Sequence, residues 1–224
     1  MLRALLWDHD GVLVDTEALY FRATRETLHD VGIALSHEDY RKLFLVAGKG
    51  AFHLARERGF DEAAVRELRR ARDLRYLALL EGESVVIPGA PEAVERLGRC
   101  FRMAIVTSSL REPFDCIHRT SGLLPHFELV LTREAYAHSK PDPEPYLTAL
   151  KRLGLSAEEC LVIEDSERGL RAAAAAGVRC WVVPSALTAG SSFRDAERCF
   201  TSLSALEGAL LSEHRLQTQA PERP

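Results

Sequence analysis

Lysine is the scarcest of the common charged residues in this sequence: four against twenty-five arginines. With arginine as the default cation, a lysine that falls inside a motif asks for a chemical reason. A basic excess is missing too. The formal net charge is -4 at pH 7 and the pI is about 6.1, which argues against a nucleic-acid partner. No apolar run is long enough to span a bilayer. The opening stretch MLRALLWDHD meets acid after only a few apolar residues, unlike a secretory leader. The five cysteines, at 100, 116, 160, 180 and 199, form no CxxC and no metal-ligand spacing. Most lie in or beside apolar segments, where cysteine serves as a small buried hydrophobe. These absences lead us to expect a reduced, cytoplasmic protein without membrane or nucleic-acid partners; a monomer or weak homodimer is the expected assembly, although no residue pattern fixes it. At 224 residues and 46% hydrophobic, it suits one medium domain or one domain with a smaller insert.

What is present is a set of short apolar runs of strand type at 3–7, 102–106, 128–131, 160–163 and 179–183, with a weaker one at 198–200. From residue 90 onward they alternate with helical patterns at 91–99, 110–120, 143–153, 167–176 and 203–212. That alternation predicts an α/β fold: a Rossmann-like, doubly wound parallel sheet with helices on both faces. In SKPDPEPYL, Asp142 can cap a helix that Pro143 opens; in DSERGLRAAAAAG, Ser166 can cap and Gly177 can terminate. Residues 17–83 interrupt the pattern with four helical segments, 17–31, 36–46, 48–58 and 62–81, the last with Ala64, Leu68, Ala71, Leu74 and Ala78 at helical spacing. The expected organisation is a core of 1–15 and 89–212, an all-helical insert over 16–88, and a flexible polar tail from 213 to 224.

Ligands of parallel α/β sheets bind beyond the carboxyl ends of the strands. Asp8 and Asp10 follow the first strand; Thr107, Ser108 and Ser109 follow the second. The loop after the third leads to Lys140, and Glu164 and Asp165 close the fourth. Alternation along a strand puts Asp8 and Asp10 on one side, in a space shared with Glu164 and Asp165. Several carboxylates cannot all stay ionised together without a cation. Oxygen donors without histidine or cysteine point to a hard ion, Mg²⁺ above all. Hydroxyls and free N–H groups around 107–110 suit a phosphate. An anionic nucleophile approaching a phosphate dianion needs a metal and a lysine to offset the repulsion. The plain alternative, in which aspartates at a strand end only shape a turn, leaves the other three strand ends without explanation.

DHDGVLVDTE, AIVTSS, SKPDPEPY and VIEDSERGLRAAAAAG, in that order, resemble the four motifs of the haloacid dehalogenase superfamily, in the subgroup with a helical cap inserted after the first strand, near the β-phosphoglucomutase and phosphoglycolate phosphatase branch. The resemblance implies that Asp8 is a nucleophile forming an aspartyl-phosphate, and that Asp10 is the acid and then the base. It implies that Thr107 holds a phosphoryl oxygen with help from the Ser108 backbone, that Lys140 neutralises charge, and that Gly11 lets backbone approach the phosphoryl group. Mg²⁺ would be held by the Asp8 carboxylate, the Asp10 carbonyl and Asp165, with Glu164 direct or through water. Thr16 and the 86–89 region would act as cap hinges. His9 stands where Phe, Leu or Met is more usual. Ser109 joins the phosphate-binding set, and Lys49, in AGKGAF, is the cap residue expected to meet substrate; Tyr20, Arg22 and His53 are weaker candidates.

The resulting expectation is a Mg²⁺-dependent phosphatase for a small phosphorylated metabolite, a sugar phosphate or phosphoglycolate. A β-phosphoglucomutase-like phosphomutase is the rival, although Tyr20, Lys49 and Arg111 stand where such mutases usually carry His, Arg and Lys. Phosphonoacetaldehyde hydrolases and dehalogenases usually lack the second aspartate supplied here by Asp10. Receiver domains, which signal through a phosphorylated aspartate, lack the helical insert.

Overall fold

A computed structural model describes residues 1–43 and 50–219. Two compact units divide the chain, Met1–Asp15 with Val86–Pro224, and Thr16–Val85. The chain thus returns to the first unit at Val86, three residues ahead of the expected boundary at 89.

The first unit is built on six parallel strands: β1 Ala4–Trp7, β2 Arg102–Val106, β3 Leu129–Leu131, β4 Cys160–Glu164, β5 Arg179–Val182 and β6 Arg198–Cys199, in the order β3-β2-β1-β4-β5-β6. β1 pairs on both sides, with Trp7 between Ile105 and Ile163. A strand paired on both edges and covered on both faces has no position for a polar side chain, which is why ALLW reads as unbroken apolar sequence. One face of the sheet, carrying Leu6, Val106, Val162 and Val182, packs on Tyr146, Leu150, Leu170 and Ala173 from α7 (Glu144–Leu153) and α8 (Glu167–Ala175). Leu5, Trp7, Ile105, Ile163 and Trp181 alternate to the opposite side and are also buried.

The helix ends follow their sequence signals closely. The Ser166 hydroxyl accepts the Gly169 N–H at 3.1 Å to cap α8, and Gly177 adopts a left-handed φ of 72° just beyond its end. Pro143 occupies the N-cap of α7 rather than its first turn, and Asp142 Oδ1 accepts the Glu144 N–H at 2.8 Å from one residue farther back.

Residues 213–219 of the expected tail are instead the last turns of helix α9, Leu203–Gln219, while residues 220–224 lie outside the described residues. Its polar residues are engaged: Glu213 lies 3.7 Å from Arg179 and 3.8 Å from Arg198, and Gln217 accepts the Leu2 N–H at 3.2 Å. Upstream, buried Leu206 and Leu210 anchor the helix, and Glu207 pairs with Arg96 of α5 (Ala90–Gly98).

The second unit contains α1 Glu17–His29, α2 His37–Arg41, α3 His53–Glu57 and α4 Glu62–Gly82, with no strand among its described residues. α2 and α3 are shorter than the expected 36–46 and 48–58; residues 44–49, Lys49 among them, lie outside the described residues. The buried face of α4 differs from the stripe read in the sequence. Val65, Tyr76 and Leu80 are buried, whereas Leu74 is 62% exposed. Arg72 completes the face: its side chain is only 11% exposed, with the guanidinium over the rings of Tyr20 and Phe52. A charged residue at a core-facing position shifted the apparent apolar stripe.

Candidate active site

Beyond Trp7 the chain stays in register for one residue, and the Asp8 N–H donates to the Ile163 carbonyl at 2.8 Å. It then folds into a tight loop in which the N–H groups of Leu13 and Val14 reach the His9 carbonyl at 2.9 and 3.1 Å. Gly11 sits at φ +84° inside that loop, and a Cβ there would lie 2.2 Å from Asp165 Oδ2. Only glycine meets both the backbone angle and the approach.

Lys140 arrives on the loop after β3. Its buried ammonium donates to Asp8 Oδ1 at 2.7 Å, Glu164 Oε1 at 2.7 Å and the Val106 carbonyl at 2.9 Å. All three donors of the group are thereby used. Burial works against its charge, but the two carboxylates outweigh burial and hold its pKa above the ordinary lysine value.

Glu164, fully buried at the end of β4, accepts from Tyr146 Oη at 2.8 Å as well as from Lys140 on Oε1. Its Oε2 accepts from Ser166 Oγ at 3.0 Å and from the N–H groups of Asp165 and Ser166 at 3.2 and 3.3 Å. Burial alone would raise its pKa; Lys140, Tyr146 and Ser166 together hold it below the ordinary carboxylate value. A Cβ on Gly169 would fall 1.7 Å from Oε1, so the first turn of α8 must carry glycine to seat this side chain.

Ligand oxygens of Asp8, Glu164 and Asp165 lie within 4.8 Å of one another. Burial, then the neighbouring carboxylates, push Asp8 up to about 6, with Lys140 acting in the opposite direction. The same causes push Asp165 up to about 8. Thr188, on the loop after β5, approaches Asp165 Oδ2 at 3.4 Å.

Asp10 departs from the arrangement expected of it. The strand geometry has ended by this point, and its carboxylate turns to Ser109, whose hydroxyl donates to Oδ2 at 2.6 Å, and to His9 Nδ1 at 3.2 Å. Ser109, expected among the phosphate ligands, therefore directs its hydroxyl to Asp10. Thr107 is buried; its Oγ1 accepts the Ser109 N–H at 3.0 Å and its carbonyl accepts the Tyr136 hydroxyl at 2.6 Å. Ser108 Oγ is buried without a hydrogen-bond partner among the described residues.

Four sites singled out in the sequence, Asp8, Lys140, Glu164 and Asp165, thus meet in one buried cluster. Sequence reasoning missed Tyr146, Gly169 and the second role of Ser166, all of which lie within the quoted motifs. The Tyr146 and Ser166 contacts depend on side-chain direction, which spacing alone does not reveal.

A protein-family model for haloacid dehalogenase-like hydrolases matches residues 2–177. The chain belongs to that family. It is accordingly an enzyme, a hydrolase. Among its relatives, Protein CbbY of Rhodobacter capsulatus is 35% identical over 216 residues, covering 91% of this chain and 95% of the relative. Phosphorylated carbohydrates phosphatase of Thermotoga maritima is 30% identical over 187 residues, covering 79% and 82%. A crystal structure of a CbbY mutant from Rhodobacter sphaeroides in complex with xylulose-(1,5)-bisphosphate has a TM-score of 0.79 and 29% identity, covering 92% of this chain and 96% of that one. Among the described residues, no helix is long and apolar enough to cross a membrane.

Proposed function

We propose that this hydrolase is a Mg²⁺-dependent phosphatase of small phosphomonoesters, sugar phosphates foremost, working through a phosphorylated Asp8. The observation that carries this reading is the buried contact of Asp8 with Lys140, beside two further carboxylates that the lysine alone does not neutralise.

The donor set fits a hard divalent ion. It is all oxygen, it is buried, and its acids are pushed up to about 6 and about 8 by one another and by burial. Asp8 and Asp165, with the Asp10 carbonyl, would hold Mg²⁺. Both Glu164 oxygens accept hydrogen bonds from the protein, so Glu164 acts chiefly by fixing Lys140, with any link to the ion running through water. When bound, the ion supplies positive charge against the nucleophile and the phosphoryl oxygens.

The chain's own residues do the rest. The Asp8 carboxylate attacks phosphorus, and the bond from phosphorus to the ester oxygen breaks. Asp10 gives its proton to the departing alcohol. It then takes a proton from the water that attacks the phosphorylated Asp8 and releases inorganic phosphate. Lys140 neutralises Asp8 before attack and a phosphoryl oxygen afterwards. The Ser108 hydroxyl, buried without a hydrogen-bond partner among the described residues, and the Thr107 region offer donors to that group. Sugar phosphates are favoured because two relatives bear names or ligands of that class.

Phosphate release measured across a panel of sugar phosphates, with Mg²⁺ and with EDTA, tests the reading. We expect release only with Mg²⁺ and none from Asp8→Asn. Isomerised sugar phosphate without free phosphate would contradict it and favour a phosphomutase.

A further inference from the structure

His9 lies between the two aspartates of the first motif, and the chemistry assigned above leaves it without a role. Its ring is fully buried, 4.9 Å from the Phe114 ring centre, in α6 (Arg111–His118). Two contacts give it a direction. Nδ1 lies 3.2 Å from Asp10 Oδ2, and Nε2 lies 3.0 Å from Nε2 of His118, which is itself buried at the end of the same helix. His118 Nδ1 in turn lies 2.7 Å from Ser121 Oγ, and that oxygen accepts the Leu123 N–H at 3.2 Å.

The polarity of this line follows from its ends. An ionised Asp10 can only accept, so His9 Nδ1 donates. Assigning His9 Nε2 as the acceptor of its bond to His118 makes His118 Nε2 the donor. His118 Nδ1 must accept in its turn, and the Ser121 hydroxyl supplies the proton. In that assignment every bond points toward Asp10. Burial and the adjacent His9 ring hold the His118 pKa down at about 4, which keeps that ring neutral at physiological pH. Asp10 Oδ2 thus accepts from two sides, from His9 and, at 2.6 Å, from Ser109.

We propose that His9, His118 and Ser121 form a positioning chain that fixes the Asp10 carboxylate in the orientation from which it exchanges a proton with the leaving alcohol. This rests on the reading of Asp10 as the general acid. The chain is a feature of these particular residues: an apolar side chain at position 9 would leave His118 without its acceptor and Asp10 without its second donor.

Leaving-group dependence tests it. Glucose 6-phosphate releases an alkoxide that needs a proton, whereas p-nitrophenyl phosphate releases a stable phenolate and needs little acid help. The parameter kcat/KM reports the steps through alcohol departure. His118→Phe keeps a ring in place and removes the donor to His9; His118→Gln restores an N–H donor. We expect His118→Phe to lower kcat/KM for glucose 6-phosphate about 10-fold, less than the ~10²–10⁴ carried by the acid itself. The aryl ester should fall by less than about 3-fold, KM for both should hold, and His118→Gln should recover most of the loss. Ser121→Ala, which deletes only a hydroxyl, covers the case in which His118→Phe fails to fold and should show the same selective loss in smaller measure. Equal losses on the two esters, or none, overturn the chain. Asp10→Asn measured alongside separates the claims. If it discriminates between the esters while the His118 and Ser121 variants do not, the positioning chain falls and the acid stands. If Asp10→Asn itself does not discriminate, the acid assignment falls and takes the chain with it.

Discussion

Lys140 Nζ sits 2.7 Å from Asp8 Oδ1, out of contact with bulk water, although 132 residues separate the two in the chain. The parallel sheet makes this possible by bringing the end of β1 beside the loop that follows β3. Burial and Glu164 raise the Asp8 pKa and Lys140 opposes them, leaving it at about 6, low enough for the carboxylate to be ionised at neutral pH. A nucleophile must be ionised to attack, so the contact links fold to chemistry.

Removing the lysine charge therefore has two consequences. Lys140→Met strips Asp8 and Glu164 of their shared partner, and breaking a buried pair costs about 3–5 kcal/mol. Activity should fall at least about 10²-fold, as when one preorganised charge donor is lost. Urea unfolding and phosphate release measured on one preparation check both numbers. Lys140→Arg should not rescue, because a planar fork cannot reproduce three convergent donors.

Glu164 and Asp165 are neighbours with different expected duties. Glu164→Gln should lower stability and kcat while raising the Mg²⁺ concentration for half-activity by no more than the roughly 10–100-fold that loss of an outer-shell partner costs. Asp165→Asn should raise that concentration further, beyond the roughly 10–100-fold that loss of an outer-shell partner costs. Magnesium titrations of activity separate them. The opposite ranking would make Glu164 the direct ligand.

Gly11 bears on the same site through its missing side chain. Gly11→Ala puts a Cβ 2.2 Å from Asp165 Oδ2 at a φ of +84°. Gly32→Ala is its control: φ is +75° and nothing lies within 4 Å. Both should lose about 1 kcal/mol or more from backbone strain, but only Gly11→Ala should weaken the response to Mg²⁺, read as the shift in melting temperature.

The raised carboxyls set a pH dependence for the metal-free protein. Asp8 and Asp165 move up from an ordinary 3.8 to about 6 and about 8. Between pH 4 and pH 8 the folded chain binds more protons at these groups than the unfolded chain. Their contribution to stability is therefore present at the acid end and lost as pH rises through the folded values. Metal binding needs the ionised forms and displaces those protons. Mg²⁺ should accordingly raise the melting temperature more at pH 8 than at pH 5. Asp165→Asn should flatten the metal-free decline and remove most of the magnesium response. A magnesium shift larger at pH 5 than at pH 8 would contradict the assignment.

Much of the sheet was legible in the sequence because parallel strands covered on both faces leave uninterrupted apolar runs. The motif residues at the strand ends were legible too, since carboxylates, a scarce lysine and hydroxyls stand out against such runs. Three features were not. The buried face of α4 carries Arg72, whose stem packs while its charge meets aromatic rings, and no apolar count finds it. The helical character of 213–219 is held by ion pairs and a hydrogen bond to residues distant in the chain. The carboxylate of Asp10 turns toward Ser109 and His9 because the strand ends before it, so alternation does not apply.

Asp8 as the covalent carrier of phosphate is the claim on which the account depends, and trapping is its most direct measurement. Turnover of p-nitrophenyl phosphate with Mg²⁺, quenched in acid and reduced with borohydride, converts an aspartyl-phosphate to homoserine that peptide mass mapping can place. The account predicts homoserine at position 8, absent when Mg²⁺ is replaced by EDTA. Homoserine at another position, or none during full turnover, would contradict it.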